Sequence, residues 1–259
     1  VNDFKTITSY RLTGVDQFDI VNPGGEIKHG TLGSESYTNK ADTYGKMLSI
    51  DRRDIINDDL GALQNVPQKL GRGAGLKLND VFWTEFLNNS TFFTTGNLNY
   101  ATGASTVLGI DALTTFEILF FNQVDAQGKP LGTMAETLLV PTALKTTADV
   151  LMKSTEVRNA SQSTKEGTAN PHTGKYKTVM SRYLQNAAYT GYSATAWYLL
   201  GNPGAVPVIE TCFLNGNESP IVEQAQADFD TLGIKMRGYY DFGCKQQDYR
   251  GGVKSKGAA

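Results

Sequence analysis

Pro67-Gln-Lys-Leu-Gly-Arg-Gly-Ala-Gly-Leu-Lys-Leu-Asn-Asp-Val-Phe-Trp-Thr-Glu-Phe-Leu-Asn88 is the most regular stretch in this chain of 259 residues. After Leu60, Leu63 and Val66, apolar side chains return at Leu70, Ala74, Leu78, Val81, Phe82 and Phe86. Spacings of three and four predict an amphipathic helix over about 67–88. Pro67 suits its first turn, where the missing N–H would be unpaired anyway. At about 1.5 Å per residue the helix exceeds roughly 30 Å. Gly71, Gly73 and Gly75 inside it cost up to about 1 kcal/mol each relative to alanine, so another backbone is expected close by. These glycines do not form a phosphate cradle: the Gly-Lys-Ser/Thr ending is missing, and Leu76 stands where a dinucleotide fingerprint has its third glycine.

Toward the C-terminus, a loop over 89–108 rich in Asn, Thr and Gly leads to a second helix, Ile110 to Gln123, with Leu113, Phe116, Leu119 and Phe120 facing inward. Leu138–Thr142 reads as a short buried strand, Ala143–Met152 as a third helix, and 154–177 as a surface loop. Strands are expected at Val179–Leu184, Ala196–Leu200, Val208–Leu214 and Ile234–Tyr240, with a short last one in Gln246–Val253. Segregated helices and strands without a repeat indicate an α+β chain. Toward the N-terminus, residues 1–25 read as an arm closed by the turn Asn22-Pro-Gly-Gly25. Strand-like runs at Glu26–Leu32 and Tyr44–Asp51 flank the polar 33–42, giving a long hairpin. Such a hairpin is marginal alone in water and needs something to lie on. Asp51-Arg-Arg-Asp54 and Asp58-Asp59 follow. They read as a solvated charge cluster or inter-subunit ion pairs, because a Ca²⁺ loop with its glycine is absent.

Composition narrows the function. With 40% apolar and 19% charged residues the chain can bury a core. A net charge of -2 and a pI near 5.8 argue against a surface built to neutralise phosphates. No apolar run is long enough for a membrane span, and no basic-then-apolar leader stands at the start. Two cysteines, Cys212 and Cys244, make no disulfide framework, which fits a reducing compartment.

The search for chemistry finds no catalytic constellation, cofactor motif or metal-ligand spacing. His29 and His172 sit in or beside loops and are expected to be exposed polar residues. Gly191-Tyr-Ser-Ala-Thr195 starts like a nucleophile elbow but has Thr195 for the second glycine. Cys212 in its apolar strand is expected to be buried and inert, and Cys244 more exposed but without an activating neighbour.

A collinear series of stretches resembles tailed-bacteriophage major capsid proteins of the Mu-like head-subunit group: Arg52-Arg-Asp-Ile-Ile-Asn-Asp-Asp-Leu-Gly-Ala-Leu63, Pro67-Gln-Lys-Leu-Gly-Arg-Gly-Ala74, Asn79-Asp-Val-Phe-Trp83, Leu139-Val-Pro-Thr-Ala143, Ala196-Trp-Tyr-Leu199 with Asn202-Pro-Gly204, Ile209-Glu-Thr-Cys-Phe-Leu-Asn-Gly216, Tyr240-Asp-Phe-Gly243 and Asp248-Tyr-Arg-Gly-Gly-Val-Lys254. The resemblance spans roughly 50–255. It implies the HK-97-like fold, an α+β architecture with an N-terminal arm (1–25), an extended hairpin loop (26–51), a peripheral domain with a long spine helix (52–108, completed by about 231–259) and a mainly axial domain (109–230).

Function would then be geometric. Copies would form hexamers and pentamers of an icosahedral shell around double-stranded DNA contacted non-specifically, assembled in the host bacterial cytoplasm and resident in the virion. Partners implied are the chain itself, a portal, a scaffold or maturation protease and a decoration protein, with no membrane. Trimming in relatives suits a chain opening on Val1. Inter-subunit contacts are expected at Ile27, Tyr37, Tyr44, Arg52, Arg53, Asp58 and Asp59. Some relatives weld subunits by a Lys–Asn bond, but Lys40 and Lys46 lack a matching acid and asparagine setting. Alternatives are an encapsulin-like compartment shell of the same fold, or a hydrolase built around His172 or Cys244.

Overall fold

The computed structural model describes residues 1–13, 18, 20–27, 29, 33–57, 65–125, 128–157, 168–226 and 232–257. Along the chain run β1 (Ile7–Thr13), β2 (Gly33–Asn39), β3 (Asp42–Asp51), α1 (Arg52–Ile56), α2 (Val66–Leu87), β4 (Tyr100–Ala101), α3 (Ile110–Phe121), β5 (Ala135–Pro141), α4 (Lys145–Lys153), β6 (Glu156–Val157), β7 (Thr168–Ala169), β8 (Lys177–Ser181), β9 (Trp197–Gly201), β10 (Ile209–Phe213), β11 (Ile221–Gln226), β12 (Gly233–Gln246) and β13 (Gly252–Ser255). The chain divides into two compact units, one of residues 1–8, 38–86 and 210–245, the other of 9–37, 87–209 and 246–259.

The first unit is organised by β12. This 14-residue strand pairs antiparallel with β3 from Gly233↔Asp51 to Phe242↔Asp42, and with β11 from Gln226↔Ile234 to Ile221↔Tyr239. With β10 they make a four-stranded sheet. Its aromatic spine stacks Tyr44 on Phe242 at 4.6 Å and sets Tyr240 against Phe242 and Phe213 at 5.0 and 5.8 Å. Gly243 is required because a Cβ there would stand 1.8 Å from the Lys40 carbonyl oxygen. Against this sheet α2 leans through Leu70, with Gly238 making room beneath.

The second unit holds the larger core. Its five-stranded sheet runs β4-β13-β9-β5-β8, with β5 parallel to β8 and antiparallel to β9. Ala112, Leu113, Phe116 and Phe120 of α3, and Ala148 and Met152 of α4, close over Leu138, Val140, Trp197, Leu199 and Val253 of the sheet. The buried indole N–H of Trp197 donates to the Thr106 carbonyl at 3.0 Å, so its one polar atom is satisfied. Gly257, at φ 79°, lies so close to Thr195 that a Cβ would meet the Thr195 carbonyl.

Several expectations change. Among the described residues the two runs flanking 33–42 do not pair with each other: β3 pairs with β12, and β2 pairs with β1 in a two-stranded sheet. Glu26, Ile27 and His29 are not strand residues, whereas the polar 33–39 is. The reason lies in β2's alternation. Glu35, Tyr37 and Asn39 turn inward while Ser34, Ser36 and Thr38 face solvent, so the buried face is polar and gives no apolar signal. Among the described residues no backbone approaches the α2 glycines either: a Cβ on Gly71, Gly73 or Gly75 would meet nothing within 4 Å. His172 is buried at 2% exposure rather than exposed, because its turn folds down onto α3.

Candidate subunit interface

A groove of about 630 Å³ runs between the N-terminal half of α2 and the β3–β12 edge of the first unit. Leu48, Leu70 and Ala74 form an apolar floor, Tyr44 one wall, and Gly73 leaves the helix side open. Lys46, Lys69 and Lys77 bring three ammonium groups to it. Lys77 lies 5.6 Å over the Tyr44 ring and donates to Asp80 at 2.7 Å. Lys46 and Lys69 have no ion-pair partner among the described residues. An apolar trough edged by unpaired cations suits a chain segment that is apolar and acidic together.

The chain carries such a segment. Val15-Asp-Gln-Phe-Asp-Ile-Val21 alternates acids with large apolar residues. Phe18 and Ile20 are 96% and 94% exposed, the most open of the large apolar side chains described. Tyr10 and Leu12 on β1, and Ile27 further along, are also exposed. Large exposed apolar side chains of this kind suit association with another molecule.

The anticipated contact residues fall in different settings. Ile27 is exposed and free to meet another molecule. Tyr44 lines the groove while stacked on Phe242, and burial pushes its phenol pKa upward. Tyr37 faces inward, its hydroxyl donating to Glu35 at 3.0 Å, and burial with the Asp248 carboxylate beside it raises its pKa. Arg52 and Arg53 are exposed on α1, where the Asp51 side chain caps the helix by accepting from the Arg52 N–H at 2.6 Å. Asp58 and Asp59 lie outside the described residues. The structure therefore brings Tyr44 to the groove, whereas Arg52 and Arg53 stand on α1 outside its lining and Tyr37 belongs to the other unit. Residue-by-residue reading missed Phe18, Ile20, Lys69 and Lys77. The usable signal was the acid–apolar alternation at 15–21 set against three lysines around a glycine-rich helix.

The residues weighed for catalysis are otherwise engaged. His172 Nε2 is 2.9 Å from Thr114 Oγ1, whose own proton goes to the Ile110 carbonyl, and burial pushes the imidazole's pKa down. Burial pushes both thiols up, Cys244 against Thr211 at 3.4 Å, the reverse of nucleophile activation. Ser193 Oγ accepts from the backbone N–H groups of Thr195 and Ala196, an ordinary turn. Among the described residues no group of three His, Cys, Asp or Glu side chains could hold a metal, and no helix is long and apolar enough to cross a membrane.

Solved structures from several phages share this architecture. The capsid structure of the cyanophage P-SCSP1u superposes with a TM-score of 0.65 at 13% identity, over 98% of this chain and 84% of that one. A chain of Microbacterium phage Oxtober96 gives 0.58 at 9% identity over 100% and 84%, and one of Mycobacterium phage Bobi 0.57 at 13% over 98% and 86%. The fold is the HK-97-like capsid fold. A comparison with curated proteins returns no match. The phage capsid protein family model matches residues 35–255, so the chain belongs to that family: it is a capsid protein of a tailed bacteriophage, located in the virion, that associates with copies of itself.

Proposed function

We propose that the chain is the major head subunit, closing as hexamers and pentamers into an icosahedral shell around double-stranded DNA. The observation that carries this reading is the exposed apolar side chains Tyr10, Leu12, Phe18, Ile20 and Ile27 together with a complementary basic groove on the same chain. Identical subunits with two complementary patches make repeated contacts, and rotation decides whether these close. The near-neutral charge suits a wall that encloses DNA without gripping it.

In the four-part layout, residues 52–108 with 231–259 form the peripheral domain and 109–230 mainly the axial domain, with the arm at 1–25 and the extended loop at 26–51. Charged residues such as Arg52 and Arg53 fix register between neighbours, assembly takes place in the host bacterial cytoplasm, and portal, scaffold, protease and decoration protein are its partners there. The role is non-catalytic. Size-exclusion chromatography with electron microscopy of the purified chain tests the reading. Megadalton closed particles with five- and six-fold capsomers support it, and a stable 28.1 kDa monomer at high concentration overturns it.

A further inference from the structure

Ion pairs tie the β1–β2 ribbon to the turn at 248–250. Arg250, 6% exposed, grips Glu35 of β2 with both arms of its guanidinium: Nη1 donates to Oε2 and Nη2 to Oε1, each at 2.8 Å. Arg11 of β1 donates through Nη1 to Asp248 Oδ2 at 2.6 Å, and the same carboxylate oxygen lies 3.5 Å from Arg250 Nη1. Tyr37 completes the set by donating to Glu35 Oε2, and the Arg250 guanidinium lies 4.9 Å from the Tyr249 ring centroid. Two cations and two carboxylates balance. The Arg250 guanidinium also holds Glu35 below the ordinary carboxylate range, so the pair stays charged into mild acid.

The base of this cluster is fixed. Asp248 N–H and Gln247 N–H donate to the Pro207 and Val208 carbonyls at 3.1 and 2.9 Å. The Asn99 amide holds the Tyr249 carbonyl at 3.0 Å, and Gly251 runs so close to Val206 that a Cβ would stand 2.2 Å from its carbonyl oxygen. The chain then enters β13, an inner strand of the five-stranded sheet between β4 and β9. On the ribbon side Arg11 faces the cluster while its neighbours Tyr10 and Leu12 face solvent. A bidentate arginine–carboxylate pair fixes direction as well as distance, which an apolar contact does not.

Resting on the shell-forming reading, we propose that Arg250 and Glu35 are the positioning residues for assembly: their fork aims the ribbon so that Tyr10, Leu12 and the apolar stretch beyond reach a second copy of this chain. Apolar burial supplies affinity between copies, and the fork decides where that surface points. Losing it leaves a folded subunit with a wandering ribbon.

The test uses the full chain with Glu35→Ala, Glu35→Gln and the outer-face variant Tyr10→Ala/Leu12→Ala. Hydrogen exchange is measured on unassembled subunits, and particle yield by chromatography and microscopy. In Glu35→Ala, exchange over 7–13 and 33–39 speeds up at least about ten-fold while the five-stranded sheet is unchanged, and shell yield falls by a similar factor. Glu35→Gln, keeping one acceptor for one arm of the fork, falls between it and the parent chain. Tyr10→Ala/Leu12→Ala loses yield with ribbon exchange unchanged, separating surface from aim. Ribbon exchange in Glu35→Ala equal to the parent overturns the proposal, as does full shell yield despite fast exchange. If Glu35→Ala unfolds globally, Glu35→Gln decides by the same two readouts. A parent chain that forms no shells fails the shell reading itself, while the exchange measurement still judges the fork.

Discussion

Two helices of this chain meet opposite fates. In α3, Ala112, Leu113, Phe116, Glu117 and Phe120 are all buried within 12 residues, and the chain itself supplies everything they touch. In α2, 22 residues long, only Leu70, Phe86 and Leu87 are buried, and Gly71, Gly73 and Gly75 face open space. Both helices show spacings of three and four. One uses its stripe to build a core inside a subunit. The other keeps the N-terminal part of its stripe beside a basic groove, which makes sense when the missing neighbour is another copy. Periodicity says that a face will be buried, not by which molecule.

The difference can be broken most sharply at Phe116. Phe116→Ala removes a fully buried ring beside Trp197, and thermal unfolding of the subunit should show a loss of about 3–5 kcal/mol. A loss under about 1 kcal/mol would mean that α3 is no better packed than α2.

Next in size, Gly73→Ala should stabilise the unassembled subunit by about 1 kcal/mol, since a Cβ there meets nothing and alanine is the better helix former. The same methyl intrudes on the groove, so assembly yield should fall as the melting temperature rises. Stabilisation with undiminished yield would show that the groove side of α2 stays free in the shell.

The α3 side also carries a proton switch. Buried His172 has its pKa pushed below the ordinary 6.5 chiefly by desolvation, opposed by Glu117, which Lys175 also holds. The folded state therefore favours neutral imidazole. Its contribution is complete above about pH 6.5 and is lost as pH falls below that, because the unfolded chain takes up the proton first. Melting curves across that window should show an acid-side slope that flattens in His172→Gln, and an unchanged slope would assign it to other groups. Smallest of all, Leu76→Ala on α2, at 54% exposure, should change subunit stability by no more than about 0.5 kcal/mol.

Much of the architecture was legible because it is written in apolar periodicity. The long helix was expected at 67–88 and stands at Val66–Leu87, and α3 begins at Ile110 as read. Strands β9, β10 and β12 fall where apolar runs pointed, although β12 extends to Gln246. What escaped is what lacks an apolar code. β2 turns Glu35, Tyr37 and Asn39 inward, so its inner face shows only as polar sequence. The pairing of β3 with β12 joins residues nearly two hundred apart, and no local pattern records it. Histidine 172 was placed in the open for lack of a visible partner, and Thr114 on another element supplies one. At the candidate interface, Tyr44 was legible and its setting was not: the groove exists only once α2 lies beside the sheet edge.

The claim that α2 is completed by a neighbouring copy while α3 is completed by its own chain is tested most directly by hydrogen exchange on the same protein, unassembled and in the shell. Amides over 66–77 should slow at least about ten-fold on assembly, while those of 110–121 stay slow in both states. Equal protection of 66–77 before and after assembly would contradict the account.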